Sequence, residues 1–289
     1  METISKPVEE FRNYANSDRQ SMVESHYRLM REKQTVDFVD RMMEKYSFKQ
    51  PRQRMTIKEA FKLLENYVDS SDPDVSLPNM IHMLQTAEGI RKKGHPDWFQ
   101  LVGLIHDMGK IMFLWGEESD GQKGTADGAQ WALGGDTWVV GCRMPNCTIF
   151  PEFNALNPDQ CNEAYNTEYG IYTPHCGLDN VRFAYGHDEY MYQMLVANNC
   201  TIPEEGLAMI RYHSCYPWHT GGAYRHLMDS KDERMLPYVL EFNKFDLYTK
   251  DDVGDGLGNN GVTPEQLWPY YEQLIEKYFP HTTTGSLNW

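Results

Sequence analysis

The sequence predicts a mainly α protein with a few short strands, folded as a single domain over residues 1–289. Three observations predict it. Long segments place apolar residues at helical spacing instead of alternating them. Helix-start signals recur along the chain. No strand–helix alternation, internal repeat or linker is apparent, which excludes an α/β sheet.

The first long segment, "SMVESHYRLMREKQTVDFVDRMMEKY", lines Met22, Leu29, Val36, Val39 and Met43 along one helical face. "TIKEAFKLLENYV" opens on Thr56 with Glu59 three residues on, the signature of a capping box. "PNMIHMLQTAEGIRKK" and "PDWFQLVGLIHDMGKIMFLW" follow as helices, the second running through residue 115. "HDEYMYQMLVANN", "PEEGLAMIRYHSCY", "ERMLPYVLEFNKFDLYTK" and "TPEQLWPYYEQLIEKYF" complete the helical set. "WALGGDTWVVGC" and "CTIFPEF" are the strand candidates. Segments 116–130 and 251–261 are Gly-rich and polar, and are expected to be surface loops.

Composition narrows the function class. The chain is 40% hydrophobic, enough for a sizeable core, with a formal net charge of −15. Nucleic acids and anionic membranes need a basic footprint, so neither is expected as a partner. No apolar run approaches the roughly 20 residues of a membrane span, and "METISKPVEEFRNYANSDRQ" has no signal-peptide pattern. Six cysteines form no C-x-x-C pair and are expected as reduced thiols of a cytoplasmic protein.

The chemistry lies in an ordered series: His82, the adjacent pair His106–Asp107, His187, His213 and Asp246. Each falls in a predicted helix or at its start, so converging helices can gather them in one pocket. Four imidazoles and two carboxylates suit two divalent ions sharing a carboxylate, and fit iron, manganese or zinc alike. Thiolates are absent from the set, which disfavours a structural zinc site. Adjacent residues on a helix diverge by about 100°, so one of the His106–Asp107 pair can bind a first metal while the other reaches between two.

A dinuclear site serves either hydrolysis or O₂ chemistry. Phosphoesterases surround their metals with Arg and Lys. Here the neighbours include Asp69, Asp72, Asp136 and Ser214, which suit a polyol and would repel a phosphate dianion. Lys110 and Lys250 each follow a ligand by four residues, so on a helix both point toward the pocket, where they can donate to a substrate hydroxyl or stabilise an alkoxide.

The H…HD…D order resembles the HD-domain superfamily, helical metalloproteins that mostly hydrolyse phosphate esters. More closely, "DSSDPDVSLPNMIHMLQTAEGIRK", "DWFQLVGLIHDMGK", "GDTWVVGC", "GHDEYMYQ", "MIRYHSCYPWHTG" and "EFNKFDLYTK" resemble the myo-inositol oxygenase family, from about residue 11 to the C-terminus. The resemblance implies an HD-type helical bundle around two irons, mixed-valent Fe(II)/Fe(III), with no NAD, flavin or haem. It implies O₂-dependent cleavage of the myo-inositol ring to D-glucuronate. One iron falls to His82, His106 and Asp246, the other to His187 and His213, and Asp107 bridges them. Catalytic roles fall to Asp107 and Lys110. Substrate contacts fall to Asp69, Lys110, Gly135, Asp136, Ser214 and Lys250, with Asp72 in support. Residues 1–30 are implied as a lid, with Arg12 and Tyr27 as its contacts. A monomer is expected. The alternative is an HD-type phosphohydrolase acting on nucleotides with the same ligands.

Overall fold

The structure is a computed structural model and describes residues 14, 17–74, 78–123, 128–248, 263–280 and 285–289. Ten α-helices are found among them: α1 (Gln20–Lys33), α2 (Val36–Lys45), α3 (Ile57–Leu63), α4 (Asn79–Lys92), α5 (Asp97–Ile105), α6 (His187–Ala197), α7 (Glu204–Tyr212), α8 (Tyr216–His219), α9 (Ser230–Tyr248) and α10 (Pro264–Tyr278). Two short strands, β1 (Arg54–Thr56) and β2 (Ser286–Asn288), pair antiparallel with Met55 opposite Leu287. The mainly α expectation holds. No helix among the described residues is long and apolar enough to cross a membrane.

Local chemistry explains the boundaries. The segment expected as one helix over 21–46 is two, because Thr35 caps α2 by accepting from the Phe38 amide. The capping box at Thr56–Glu59 forms in both directions and starts α3. The strand candidates at 131–142 and 147–153 are not strands. Val139 makes an isolated bridge to Phe183, and the second stretch runs into a 3₁₀ turn at Pro151–Leu156. Their apolar residues serve buried loops, with Trp131, Trp138 and Val139 all in the core. The 116–130 segment is exposed at 117–119 but anchored at both ends. There the buried Gln122 accepts from Tyr46, and the buried Gln130 accepts from Tyr67 and the Ser70 amide. Loop 251–261 lies outside the described residues. All six cysteines are free thiols.

The core positions the site. Helix α4 packs on α5, α7 on α6 and α9, and α6 on the 3₁₀ turn Met108–Leu114 that follows α5. A Cβ at Gly103 would lie 2.9 Å from the Ala87 Cα, so this glycine sets how closely α4 and α5 approach. Gly109 does the same for the turn after α5, where any Cβ would overlap the carbonyl oxygen of His187.

Candidate metal centre

Helix ends supply the site. His82 lies within α4, but His106 and Asp107 follow the last residue of α5, His187 opens α6, His213 follows α7 and Asp246 lies in the last turns of α9. All six are buried, His82 the most exposed at 9%.

Asp107 is the hinge of the arrangement. Its Oδ2 lies 3.6 Å from His106 Nε2 and 3.8 Å from His82 Nε2. Its Oδ1 lies 3.1 Å from His187 Nε2 and 3.7 Å from His213 Nε2. Asp246 Oδ1 sits on the first side, 3.0 Å from His82 Nε2 and 3.3 Å from His106 Nε2. One carboxylate therefore presents an oxygen to each of two imidazole pairs. His82, His106 and Asp246 converge as one possible ligand group, and His106, Asp107 and His213 as another.

The imidazole protons fit a bound cation. His106 Nδ1 donates to the Gly103 carbonyl at 2.9 Å, His187 Nδ1 to Leu133 at 2.6 Å and His213 Nδ1 to Ile210 at 2.8 Å. A carbonyl only accepts, so in each neutral ring Nδ1 carries the proton and Nε2 keeps its lone pair. The Nε2 atoms of His187 and His213 then face each other at 3.0 Å. Two lone pairs at that distance repel unless a cation lies against both. His106 Nε2 is buried and makes no hydrogen bond among the described residues, a cost that a metal bond removes.

Asp188 offers another grouping with His187 and His213. Its Oδ1 lies 3.5 Å from His187 Nδ1, the nitrogen already committed to Leu133. Asp188 therefore sits behind the imidazole, and its buried carboxylate, which makes no hydrogen bond among the described residues, polarises His187 from the far side.

Electrostatics keep the acids ionised. Burial opposes charge on Asp107, but the Lys110 ammonium holds its carboxyl well below the usual range. For Asp69, burial is opposed by the Lys110 ammonium. Burial disfavours the Lys110 ammonium, yet Asp107 and Asp69 hold its pKa well above the ordinary lysine value.

A pocket opens over this cluster, lined by Asp69, Asp72, Lys110, Gly135, Ser214 and Tyr27 among the residues expected from sequence. Tyr14, Ser71, Asn79 and Tyr216 line it too and were not foreseen. Lys110 reaches the pocket by a route other than the expected one. Helix α5 stops at Ile105 and Lys110 lies on the 3₁₀ turn, so its ammonium meets Asp107 three residues back and not the His106 face. The Asp136 carboxylate departs from expectation: it accepts from the buried Arg31 at 2.9 Å and from the Ile149 amide at 3.1 Å. It braces the loop after Gly135 and is not among the residues lining the pocket. Arg12 and Lys250 lie outside the described residues, as does most of the 1–30 lid segment before Ser17.

The pocket wall is built by contacts remote in sequence. Arg19 donates to the carbonyls of Asp69 and Asp72. His26 Nε2 donates to the Gly134 carbonyl at 3.2 Å, which leaves Nδ1 to accept from Ser70 at 2.9 Å. Gly135 has φ +93°, and a Cβ there would lie 3.0 Å from His26 Nε2 and from Met30 Sδ. A Cβ on Gly134 would lie 2.7 Å from an Asp69 carboxylate oxygen. No signal within one stretch of sequence could have found these contacts, because each joins segments separated by tens of residues.

The profile of the family described as "Myo-inositol oxygenase" matches residues 20–289. An inositol oxygenase of Mus musculus is 50% identical over 293 residues, covering 99% of this chain and 93% of its own. That of Danio rerio is 48% identical, covering 100% and 96%, and that of Homo sapiens 46%, covering 99% and 93%. These relatives give the nucleotide phosphohydrolase reading no support. With five buried His and Asp residues gathered about the two-sided carboxylate of Asp107 and a match of this extent, the chain belongs to the myo-inositol oxygenase family.

Proposed function

We propose that this protein is an inositol oxygenase that cleaves the ring of myo-inositol with O₂ to give D-glucuronate. The stoichiometry balances with one O₂ consumed per inositol and one water released. The observation that carries the reading is the two-sided Asp107 under a pocket lined by Lys110, Asp69 and Ser214.

The residues fit two irons. His82, His106 and Asp246 would hold one, His187 and His213 the other, and Asp107 would join them. Bound there in the Fe(II)/Fe(III) state, the pair supplies the redox chemistry that lets O₂ react with a C–H bond. The chain's own groups do the rest. Lys110 donates to a hydroxyl and holds positive charge where an alkoxide forms. Asp69 accepts from a second hydroxyl, and Ser214 can do either. Gly135 brings backbone close to the ring. Asp107 keeps its charge throughout. Tyr27 lines the pocket, family resemblance assigns Arg12 to a lid and Lys250 to substrate, and exclusion of water would protect the reaction from side paths.

A neutral polyol fits this lining better than a phosphate does. Asp69, Asp72 and Ser214, which can read hydroxyl groups, line the pocket beside one described lysine. The proposal includes one catalytic domain acting as a cytoplasmic monomer. It is supported by a candidate ligand set drawn wholly from one chain and by six free cysteines.

Iron-loaded protein given myo-inositol under mildly reducing conditions should take up O₂ and form glucuronate in equal amounts. Absence of inositol-dependent O₂ uptake in iron-replete protein would sink the reading.

A further inference from the structure

Lys110 is held by three acceptors, and they are unequal. Its Nζ lies 2.7 Å from Asp107 Oδ2 and 2.7 Å from Asp69 Oδ2, both carboxylates. The third, Asn79 Oδ1, is a neutral amide at 3.2 Å. An ammonium has three N–H groups, so all are engaged. A substrate hydroxyl can draw a hydrogen bond from Lys110 only by taking one of these places. The longest bond, to an uncharged partner, is the cheapest to exchange.

Asn79 is placed for that exchange. It is the first residue of α4, three before His82 on the same helical face, and its backbone amide is anchored to the Tyr67 carbonyl at 2.9 Å. Its side chain lines the pocket and is 97% buried, with 3% exposure. Its Nδ2 makes no hydrogen bond among the described residues. The amide is thus tied through Oδ1 alone, and no second bond opposes its rotation away from Lys110.

We propose that Asn79 is a positioning residue for Lys110: it aims one ammonium N–H at the pocket while the pocket is empty and yields that N–H to a hydroxyl of the substrate. This rests on the inositol reading above. The chemistry asks for a neutral acceptor. A carboxylate at this place would hold the ammonium as firmly as Asp69 does and withhold it from substrate.

The test is myo-inositol binding by calorimetry to iron-loaded protein without O₂, in single and double variants, with thermal melting as a fold control. Asn79→Ala, which removes a bond the substrate must displace, should tighten binding about twofold to tenfold, whereas Asn79→Asp, nearly isosteric but charged, should weaken it by at least as much. In a Lys110→Met background the same changes should shift affinity less than twofold, because Asn79 acts through Lys110. Asn79→Ser carries the test where Ala fails to fold. Unchanged binding in Asn79→Asp, or equal shifts in both backgrounds, would overturn the proposal. Wild-type O₂ uptake with inositol stays intact in either case, so this failure is separable from failure of the enzyme reading.

Discussion

Lys110 and Asp107 form a buried ion pair at 2.7 Å on the same carboxylate oxygen that faces His82 and His106. The lysine thus neutralises part of the charge that gathers the histidines, and it does so from the pocket side. Loss of this cation should affect substrate more than metal. Lys110→Met should keep its iron, because a positive charge beside a cation site opposes metal binding. Its kcat/KM for inositol should fall at least about tenfold, the scale of a hydrogen bond from a charged donor. Lys110→Arg should fail to restore it, since a planar guanidinium does not match three converging acceptors. Metal analysis beside O₂-uptake kinetics checks both halves.

Chelation should loosen the protein. Without a cation, the Nε2 atoms of His187 and His213 face each other at 3.0 Å, and His106 Nε2 is buried without a hydrogen bond. Metal that binds only the folded state adds about 4 kcal/mol at a thousandfold excess over its Kd. The melting temperature should therefore drop on chelation and recover on adding Fe(II). Asp188→Asn replaces the carboxylate 3.5 Å behind His187 Nδ1 and should weaken metal affinity. A metal titration with an unchanged midpoint would show that Asp188 does not tune this ligand.

Much of the site was legible because its chemistry is carried by residue type and order. The six His and Asp candidates stand out in apolar helical text, and the structure brings all six together. What was not legible is how α5 ends. A 3₁₀ turn and an α-helix share nearly the same short apolar spacing, so "HDMGKIMFLW" reads as more helix, and the four-residue spacing from His106 to Lys110 points to the right pocket through a different local geometry. The fate of Asp136 was hidden for another reason. Its partner Arg31 lies 105 residues away, and only the folded chain shows that the pair is spent on structure. Asn79 carried no signal at all, being one amide at a helix start. β1 and β2 failed on length: three residues each, from opposite ends of the chain, leave no periodicity to find.

Two glycines near the site should separate folding from catalysis. At Gly109 a Cβ would overlap the His187 backbone oxygen, and backbone cannot step aside. Gly109→Ala should therefore displace α6 from the turn after α5 and lower stability by several kcal/mol, on the scale of severe overpacking. At Gly134 the clash is with the Asp69 carboxylate, the end of a side chain. Gly134→Ala should keep its fold but shift Asp69, which holds Lys110 at 2.7 Å, and so raise KM for inositol. Urea unfolding and steady-state kinetics on the two variants should give opposite patterns; matching patterns would contradict this division.

His26 should make stability depend on pH from the pocket wall. Burial lowers its pKa below the ordinary value, outweighing the pull of Asp69 in the other direction. As the pH falls through about 6.5, the unfolded chain takes up a proton that the folded His26 refuses. The unfolded state then binds more protons, so stability rises with pH across that window. It is complete above the unfolded value and lost as the pH drops toward the folded one, by up to about 1.4 kcal/mol per pH unit. The neutral ring also links α1 to both pocket loops, through Gly134 and Ser70. His26→Gln cannot titrate, so its unfolding free energy should fall less steeply between pH 6.5 and 5.5 than that of the unaltered protein. The other histidines and acids are common to both proteins and cancel in the difference. Urea unfolding at several pH values measures the two slopes, and equal slopes would mean that the buried imidazole titrates as freely in the folded chain as in the unfolded one.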